Sequence, residues 1–213
     1  MKYKFFVYQI IVVVREIVKP IFLLADKIRG LDFYADYKEK SVEKVGGYSY
    51  EATKFRCKIP LKKFFRAHSV SGRNIMDVGC GKGYMLYYFK KSGLFNNVAG
   101  LEYSHTLAGI ARNNMKHLNL DCTVYESDAS YFNKYDSFDV FYLYNPFGEE
   151  VMRRFLEKLD ESLIREKRLI TIIYYNPVHA PVLKEYGFTD MTEEYGIHTF
   201  LSPEILGLNI YEK

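Results

Sequence analysis

The stretch "NIMDVGCGKGYMLYYFKK" (74–91) decides how the chain is read. It opens on Asn74–Val78, dense in apolar side chains, as a short strand buried on both faces should be. Three alternating glycines follow, Gly79, Gly81 and Gly83, and then Tyr84–Lys91 takes helical spacing. The turn from strand to helix is nearly free of side chains. Such a backbone can approach a ligand closely, and the helix behind it offers N–H groups that have no partner inside the helix.

The same alternation continues outward. Further strands are expected at 97–102, 122–127, 138–144 and 168–175, and two final ones within 188–195 and 206–213. Helices are expected over 84–91, 105–118, 149–164 and 178–186, with a short amphipathic one at 59–68 whose Lys62, Lys63 and Arg66 could touch phosphate but are read first as a solvated face. Alternating strands and helices imply a doubly wound, seven-stranded, mostly parallel α/β sheet. Ligands of such sheets bind beyond the carboxyl ends of the strands. On that edge stand Asp77 with the glycine loop, Glu102 with Tyr103, Asp128 with Ala129, and Asn145-Pro146-Phe147.

Two other glycine loops do not fit. A phosphate-gripping loop needs GxxxxGK[ST], and the dinucleotide fingerprint is GxGxxG, which counts against a dehydrogenase. "DVGCGKG" (77–83) after a strand resembles the first motif of class I S-adenosylmethionine-dependent methyltransferases, and the resemblance covers roughly 73–213. It implies a Rossmann-like fold that takes S-adenosylmethionine as cofactor. It also implies that Asp77, Gly79, Cys80, Gly81 and Gly83 hold the methionine part, with Asp77 organising the loop and facing the ammonium. Glu102, with Tyr103 beside it, would accept hydrogen bonds from both ribose hydroxyls. Asp128 would contact the adenine amino group, with Ala129 beside the ring. Lys82 occupies a variable position of the motif, where solvent exposure is expected.

At the end of the fourth strand, "NPF" (145–147) resembles the Asn/Asp-Pro-Pro-aromatic motif of amino methyltransferases. There the Asn oxygen and a backbone carbonyl accept the two amine hydrogens, which aims the nitrogen lone pair at the sulfonium methyl. This chain has one proline, and its aromatic comes one place early, with Gly148 where that ring would stand. Asn145, Pro146 and Phe147 are therefore the candidate catalytic residues, with Asn145 also beside the donor, and a strand-ending turn is the plain alternative. Tyr174, Tyr175 and His179, around Asn176-Pro177, stand on the same edge as turn or pocket residues. Tyr50 and Thr53 in "GYSYEATKF" (47–55) are candidates for a lid over the donor.

The chain ahead of residue 46 has another texture. "FFVYQIIVVV" (5–14) is too short to span a bilayer, and charged residues follow it at once. No small-residue cleavage site follows, which argues against a signal peptide. Phe6, Val7, Ile10, Val13, Val14, Ile17, Ile21, Leu24 and Ile28 share one broad side of a helical wheel. Such a helix can cover its own domain, a dimer partner or an anionic membrane surface. We therefore divide the 213 residues into an amphipathic extension and connector (1–45) and a donor-binding domain (46–213).

Charge follows the same division. Residues 1–30 hold six basic and two acidic residues, which accounts for the whole net charge of +4, and the other 183 residues carry 24 of each sign. A body so balanced does not favour a nucleic-acid backbone as partner. Three scattered cysteines make neither a disulfide framework nor a zinc site, and a reducing cytoplasm suits them, with membrane association as a second placement. No metal is expected. The sequence thus points to a methyltransferase with nitrogen as the favoured acceptor. An oxygen methyltransferase of a sugar, lipid-linked glycan or small molecule is the first alternative, and a non-catalytic S-adenosylmethionine-binding protein the second.

Overall fold

The computed structural model describes residues 18–37, 58–67, 70–195 and 207–213. Tyr50, Thr53 and the apolar run 5–14 lie outside the described residues. In chain order the elements are helix α1 (18–29), α2 (Lys58–Ala67), β1 (Asn74–Val78), α3 (Tyr84–Ser92), β2 (Asn97–Glu102), α4 (His105–His117) and β3 (Thr123–Glu126). Then come β4 (Val140–Tyr144), α5 (Glu149–Arg165), β5 (Thr171–Tyr175), α6 (Ala180–Glu185), β6 (Thr189–Asp190) and β7 (Leu208–Glu212).

The strands form one seven-stranded sheet in the order β3-β2-β1-β4-β5-β7-β6. β1 to β5 are parallel, and β7 runs antiparallel to both β5 and β6. The mostly parallel, doubly wound sheet expected from the sequence is therefore present. The chain reverses its winding between β1 and β4, so the ends of these two strands flank the crevice where such folds place a ligand.

Alternation along the central strands feeds two cores, one on each face. Ile75, Val140 and Tyr142 join Leu61, Phe64, Leu86, Phe89 and Ala111 on one side. Met76, Val78, Phe141 and Leu143 join Phe155, Leu156, Leu159 and Leu183 on the other. Strands sandwiched this way need apolar side chains on both faces, which explains their continuous hydrophobic runs.

Strands β4, β5 and β6 are shorter than the sequence suggests, and side-chain hydrogen bonds at their ends account for it. A 3-10 turn at Tyr135–Ser137 precedes β4, and the Asp139 carboxylate accepts from Asn74 N–H at 3.0 Å, so pairing with β1 begins past it. Ahead of β5, the Arg168 guanidinium donates to the carbonyls of Phe138 and Tyr135, both at 2.9 Å. At 188–195 only Thr189–Asp190 is strand. The Asp190 carboxylate accepts from Thr192 N–H at 3.1 Å and turns the chain there, as a short acidic side chain does in a loop.

Residues 18–37 are bolted onto the first face. The Asp26 carboxylate accepts from Phe33 N–H at 2.6 Å and Tyr34 N–H at 3.0 Å, folding the chain back after α1. Leu31 and Phe33 enter the same core as Leu86 and Phe89. Phe22 stacks on Tyr34 with ring centroids 4.8 Å apart.

Candidate functional site

The glycine loop wraps over the end of β2. Gly79 N–H and Cys80 N–H both donate to Leu101 C=O, at 2.8 and 3.0 Å. Gly81 N–H donates to Glu102 Oε2 at 2.8 Å, and Ser104 N–H to Glu102 Oε1 at 2.9 Å. Both Glu102 oxygens are thus aimed by backbone amides. A carboxylate offers about four acceptor positions, the number that lets one group meet backbone amides and ligand hydroxyls together. The Ser104 side chain then caps α4 by accepting from Leu107 N–H at 3.2 Å.

Cys80 turns its side chain away from the loop's open side. A Cβ built on Gly100 would lie 2.6 Å from Cys80 Sγ, so the thiol fills the space that Gly100 leaves in the sheet. Burial, then the charges of Asp77 and Glu102, push its pKa up. Cys80 can reach a ligand through its backbone alone.

Asp77 is buried at the end of β1, and its pKa is raised well above the usual carboxylate range, by burial first and the Glu102 charge second. Two buried acids side by side ask for a cation. The ammonium and sulfonium of S-adenosylmethionine supply one, and α3 begins without a side-chain cap, which leaves its amides for a carboxylate. The residues present therefore fit this donor.

On the adenine side, Ser127 N–H donates to Glu102 C=O at 3.0 Å, which ties the loop after β3 to the end of β2. Asp128 Oδ1 accepts from Ser130 N–H at 2.7 Å, leaving Oδ2 for another donor. Ala129 is buried beneath, its carbonyl held by the Tyr135 hydroxyl at 2.9 Å, and Tyr103 stands exposed beside Glu102. The buried Ser130 hydroxyl has no hydrogen-bond partner among the described residues.

The turn after β4 lies against the glycine loop. Gly79 has φ +78°, and a Cβ there would stand 2.5 Å from Pro146 Cβ, so loop and turn are in direct contact. Asn145 takes φ +39° and Asn176 φ +53°, a left-handed conformation that Asn tolerates better than most residues. They follow Tyr144 and Tyr175, which are paired in register, so the two Asn-Pro turns stand side by side. The buried Tyr174 hydroxyl donates to Asn145 Oδ1 at 3.1 Å and accepts from His179 N–H at 3.4 Å. Burial lowers the His179 pKa, opposed by the Glu149 charge. Phe147, by contrast, is 6% exposed and packs on Phe155, with centroids 6.0 Å apart, in the second core.

The structure thus brings together Asp77, the glycine loop, Glu102, Tyr103, Asp128, Ala129, Asn145 and Pro146 on one edge, and leaves Phe147 in the core behind them. It also corrects one expectation. Lys82 is not solvent-exposed but 2% exposed, with Nζ bonded to Asp32 Oδ1 at 2.6 Å and Ala35 C=O at 2.8 Å. Asn114, buried in α4, accepts from Asp32 N–H at 2.9 Å and donates to the carbonyls of Asp32 and Lys82, at 3.0 and 2.9 Å. The segment after α1 is therefore clasped to the glycine loop. No sequence signal marks this pairing, because its partners lie 50 and 82 residues apart. Among the described residues no cluster of His, Cys, Asp and Glu is arranged to hold a metal.

Residues 75–165 match the family model described as "Methyltransferase domain". No curated protein sequence matches the chain. Among solved structures the chain is similar to a TehB-like SAM-dependent methyltransferase from Corynebacterium glutamicum, at 17% identity and TM-score 0.53, covering 71% of this chain and 86% of that one. It is also similar to a SAM-dependent methyltransferase from Aquifex aeolicus, at 14% identity and TM-score 0.56, covering 83% and 98%. A third is a 16S rRNA N2 methyltransferase from T. thermophilus in complex with AdoMet and guanosine, at 18% identity and TM-score 0.57, covering 78% of this chain and 45% of that one. At these identities the likeness is one of fold.

Proposed function

We propose that the chain is an S-adenosylmethionine-dependent methyltransferase, as the match of residues 75–165 to a methyltransferase domain supports, and that its acceptor atom is a nitrogen positioned by Asn145. The observation that carries this reading is the hydrogen bond from the Tyr174 hydroxyl to Asn145 Oδ1, 3.1 Å long, at the strand end beside the glycine loop. It fixes the amide plane and leaves Oδ1 a second lone pair for an N–H of the acceptor.

Bound S-adenosylmethionine supplies an activated methyl on sulfur, and the chain's residues hold and aim the partners. Glu102, its carboxylate aimed by the Gly81 and Ser104 amides, would accept from the ribose hydroxyls. Asp128 takes the adenine amino group through Oδ2, over Ala129 and beside Tyr103. Asp77 faces the ammonium, and the backbone of Gly79, Cys80, Gly81 and Gly83 borders the methionine part. Asn145 and the carbonyls of the Pro146 turn hold the acceptor N–H groups, which orients the nitrogen lone pair and stabilises the positive charge that develops on it. Phe147 supports the turn from within the core. A lid carrying Tyr50 and Thr53 would complete the enclosure.

Incubating cell extract with methyl-labelled S-adenosylmethionine, isolating the labelled product and reading the methyl carbon shift by NMR tests the reading. A nitrogen-bound methyl, lost with Asn145→Ala, is expected. An oxygen-bound methyl whose formation survives Asn145→Ala would refute it and favour the sugar or lipid-linked acceptor. Donor binding with no labelled product from any fraction would favour a non-catalytic role.

A further inference from the structure

Helix α1 carries an apolar stripe that the described residues leave exposed. Ile21, Leu24 and Ile28 are 65%, 58% and 77% exposed, on a single segment of twelve helical residues at 18–29. Their spacing of three and four puts them on one face. Asp26, the residue that anchors the helix to residues 33 and 34, is buried. At about 100° per residue it lies nearly opposite the stripe. The stripe therefore points away from the body because the body holds the other side.

The flanks of the stripe are basic. Lys27 and Arg29 are exposed and have no ion-pair partner among the described residues. On the same wheel they fall roughly 90–110° to either side of the stripe. Lys19, on the far side, is engaged by Asp36 at 2.5 Å. An apolar face bordered on both sides by free cations is the pattern of a helix lying in the interface of an anionic bilayer, with apolar residues among the acyl chains and the long basic side chains reaching up to the headgroups. Upstream, the sequence keeps the same phase at Phe6, Ile10, Val13 and Ile17, and residues 1–30 hold the chain's whole excess of positive charge. No helix among the described residues is long and apolar enough to cross a membrane.

We propose that the α1 stripe of Ile21, Leu24 and Ile28, flanked by Lys27 and Arg29, is a docking surface for an anionic lipid bilayer. A second copy of the chain is the competing occupant. Charge decides between them. Two copies related by a two-fold axis would bring like-charged flanks together, whereas anionic headgroups complement both. The clasp of Lys82 and Asn114 on Asp32 joins this surface to the donor site, so docking also fixes how the glycine loop faces the bilayer.

The test is sedimentation of the full chain with vesicles of phosphatidylcholine, with and without phosphatidylserine. Binding that grows with phosphatidylserine and falls with salt is expected. I21D/L24D/I28D should lower the partition at least tenfold, and K27E/R29E should remove about tenfold of it together with the phosphatidylserine preference. All five positions are exposed, so S-adenosylmethionine binding by calorimetry should be unchanged in both variants, which confirms folding. Failure of the full chain to bind phosphatidylserine vesicles overturns the proposal. So does a dimer in analytical ultracentrifugation that I21D/L24D/I28D converts to monomer without a change in vesicle binding. Neither result bears on nitrogen as the acceptor.

Discussion

Replacing Gly79 with alanine tests the contact on which the site depends. A Cβ at this position would stand 2.5 Å from Pro146 Cβ, where carbons in contact rest about 3.5–4.0 Å apart. The proline ring cannot swing aside as a long side chain would, so the glycine loop or the Asn145-Pro146 turn must move by roughly 1 Å. The left-handed φ of +78° adds about 1–2 kcal/mol for any L-residue, and overpacking about 1–3 kcal/mol. Gly79→Ala should therefore lose about 2–5 kcal/mol. Gly93 is the control, since it has φ +66° with nothing within 4 Å of a built Cβ. Gly93→Ala should lose only the conformational share, about 1–2 kcal/mol. Urea unfolding measures both, and calorimetry with S-adenosylmethionine reads the consequence. We expect the displaced loop of Gly79→Ala to bind the donor at least about tenfold more weakly, equivalent to about 1.4 kcal/mol, while Gly93→Ala binds normally. Equal stability losses with normal donor affinity in both variants would refute the close approach of loop and turn.

Three further perturbations separate the remaining parts of the site. Tyr174→Phe removes the hydroxyl that aims Asn145, a hydrogen bond of about 0.5–1.5 kcal/mol, and should lower kcat roughly two- to tenfold with donor affinity intact; steady-state kinetics showing the reverse split would contradict the positioning role. Asp32→Asn leaves the Lys82 ammonium without its carboxylate. A fully buried pair broken this way would lose about 3–5 kcal/mol, but Asp32 is 41% exposed, so about 1–3 kcal/mol is expected in urea unfolding. Adding Lys82→Met should restore part of that loss, and no restoration would mean that the charge is not what destabilises. Asp77→Asn tests the buried acid through pH. Burial and Glu102 raise the folded pKa of Asp77, so its contribution to stability is present below the usual carboxylate range and is lost as pH rises through the raised value. Urea unfolding of the donor-free protein should show stability falling with pH above the usual carboxylate range, and a shallower fall in Asp77→Asn; identical slopes would refute it.

The fold was legible because its rules are local. β1, β2 and the helix between them follow from hydrophobic period and glycine punctuation, and Asn74–Val78 and Asn97–Glu102 match the expected bounds. Strand ends that depend on distant partners were not legible. β4 and β5 start late because the side chains of Asp139 and Arg168 are committed to other segments, and nothing in their own neighbourhoods announces it. The sixth strand, expected within 188–195, shrank to two residues because Asp190 binds its own chain. At the site, the residues at strand ends could be placed from topology alone, and there they stand. What each side chain does with its free atoms could not. The Tyr174 hydroxyl on Asn145, the Cys80 thiol turned into the sheet and the Phe147 ring packed on Phe155 are choices of packing, made by neighbours far away in sequence.

Lys82 shows what that difference means. Its place at a variable position of the glycine motif predicts exposure. Of the loop only Gly79 is exposed, and Lys82 is covered by the segment that carries Asp32 and Ala35. Leu31 and Phe33 bring apolar surface to the core, and Asp32 between them meets Lys82 and Asn114. Apolar burial supplies the attraction, and the polar atoms between fix the register, since a slip of one residue would take Asp32 away from the buried Lys82 and Asn114 side chains. The segment after α1 is for that reason part of the scaffold of the donor site. A truncation that ends beyond Asp32 would expose the core and free the glycine loop together, so loss of donor affinity in such a variant would report on Lys82 and not on α1. Exposed positions of α1 itself are the ones that separate the docking surface from the donor site.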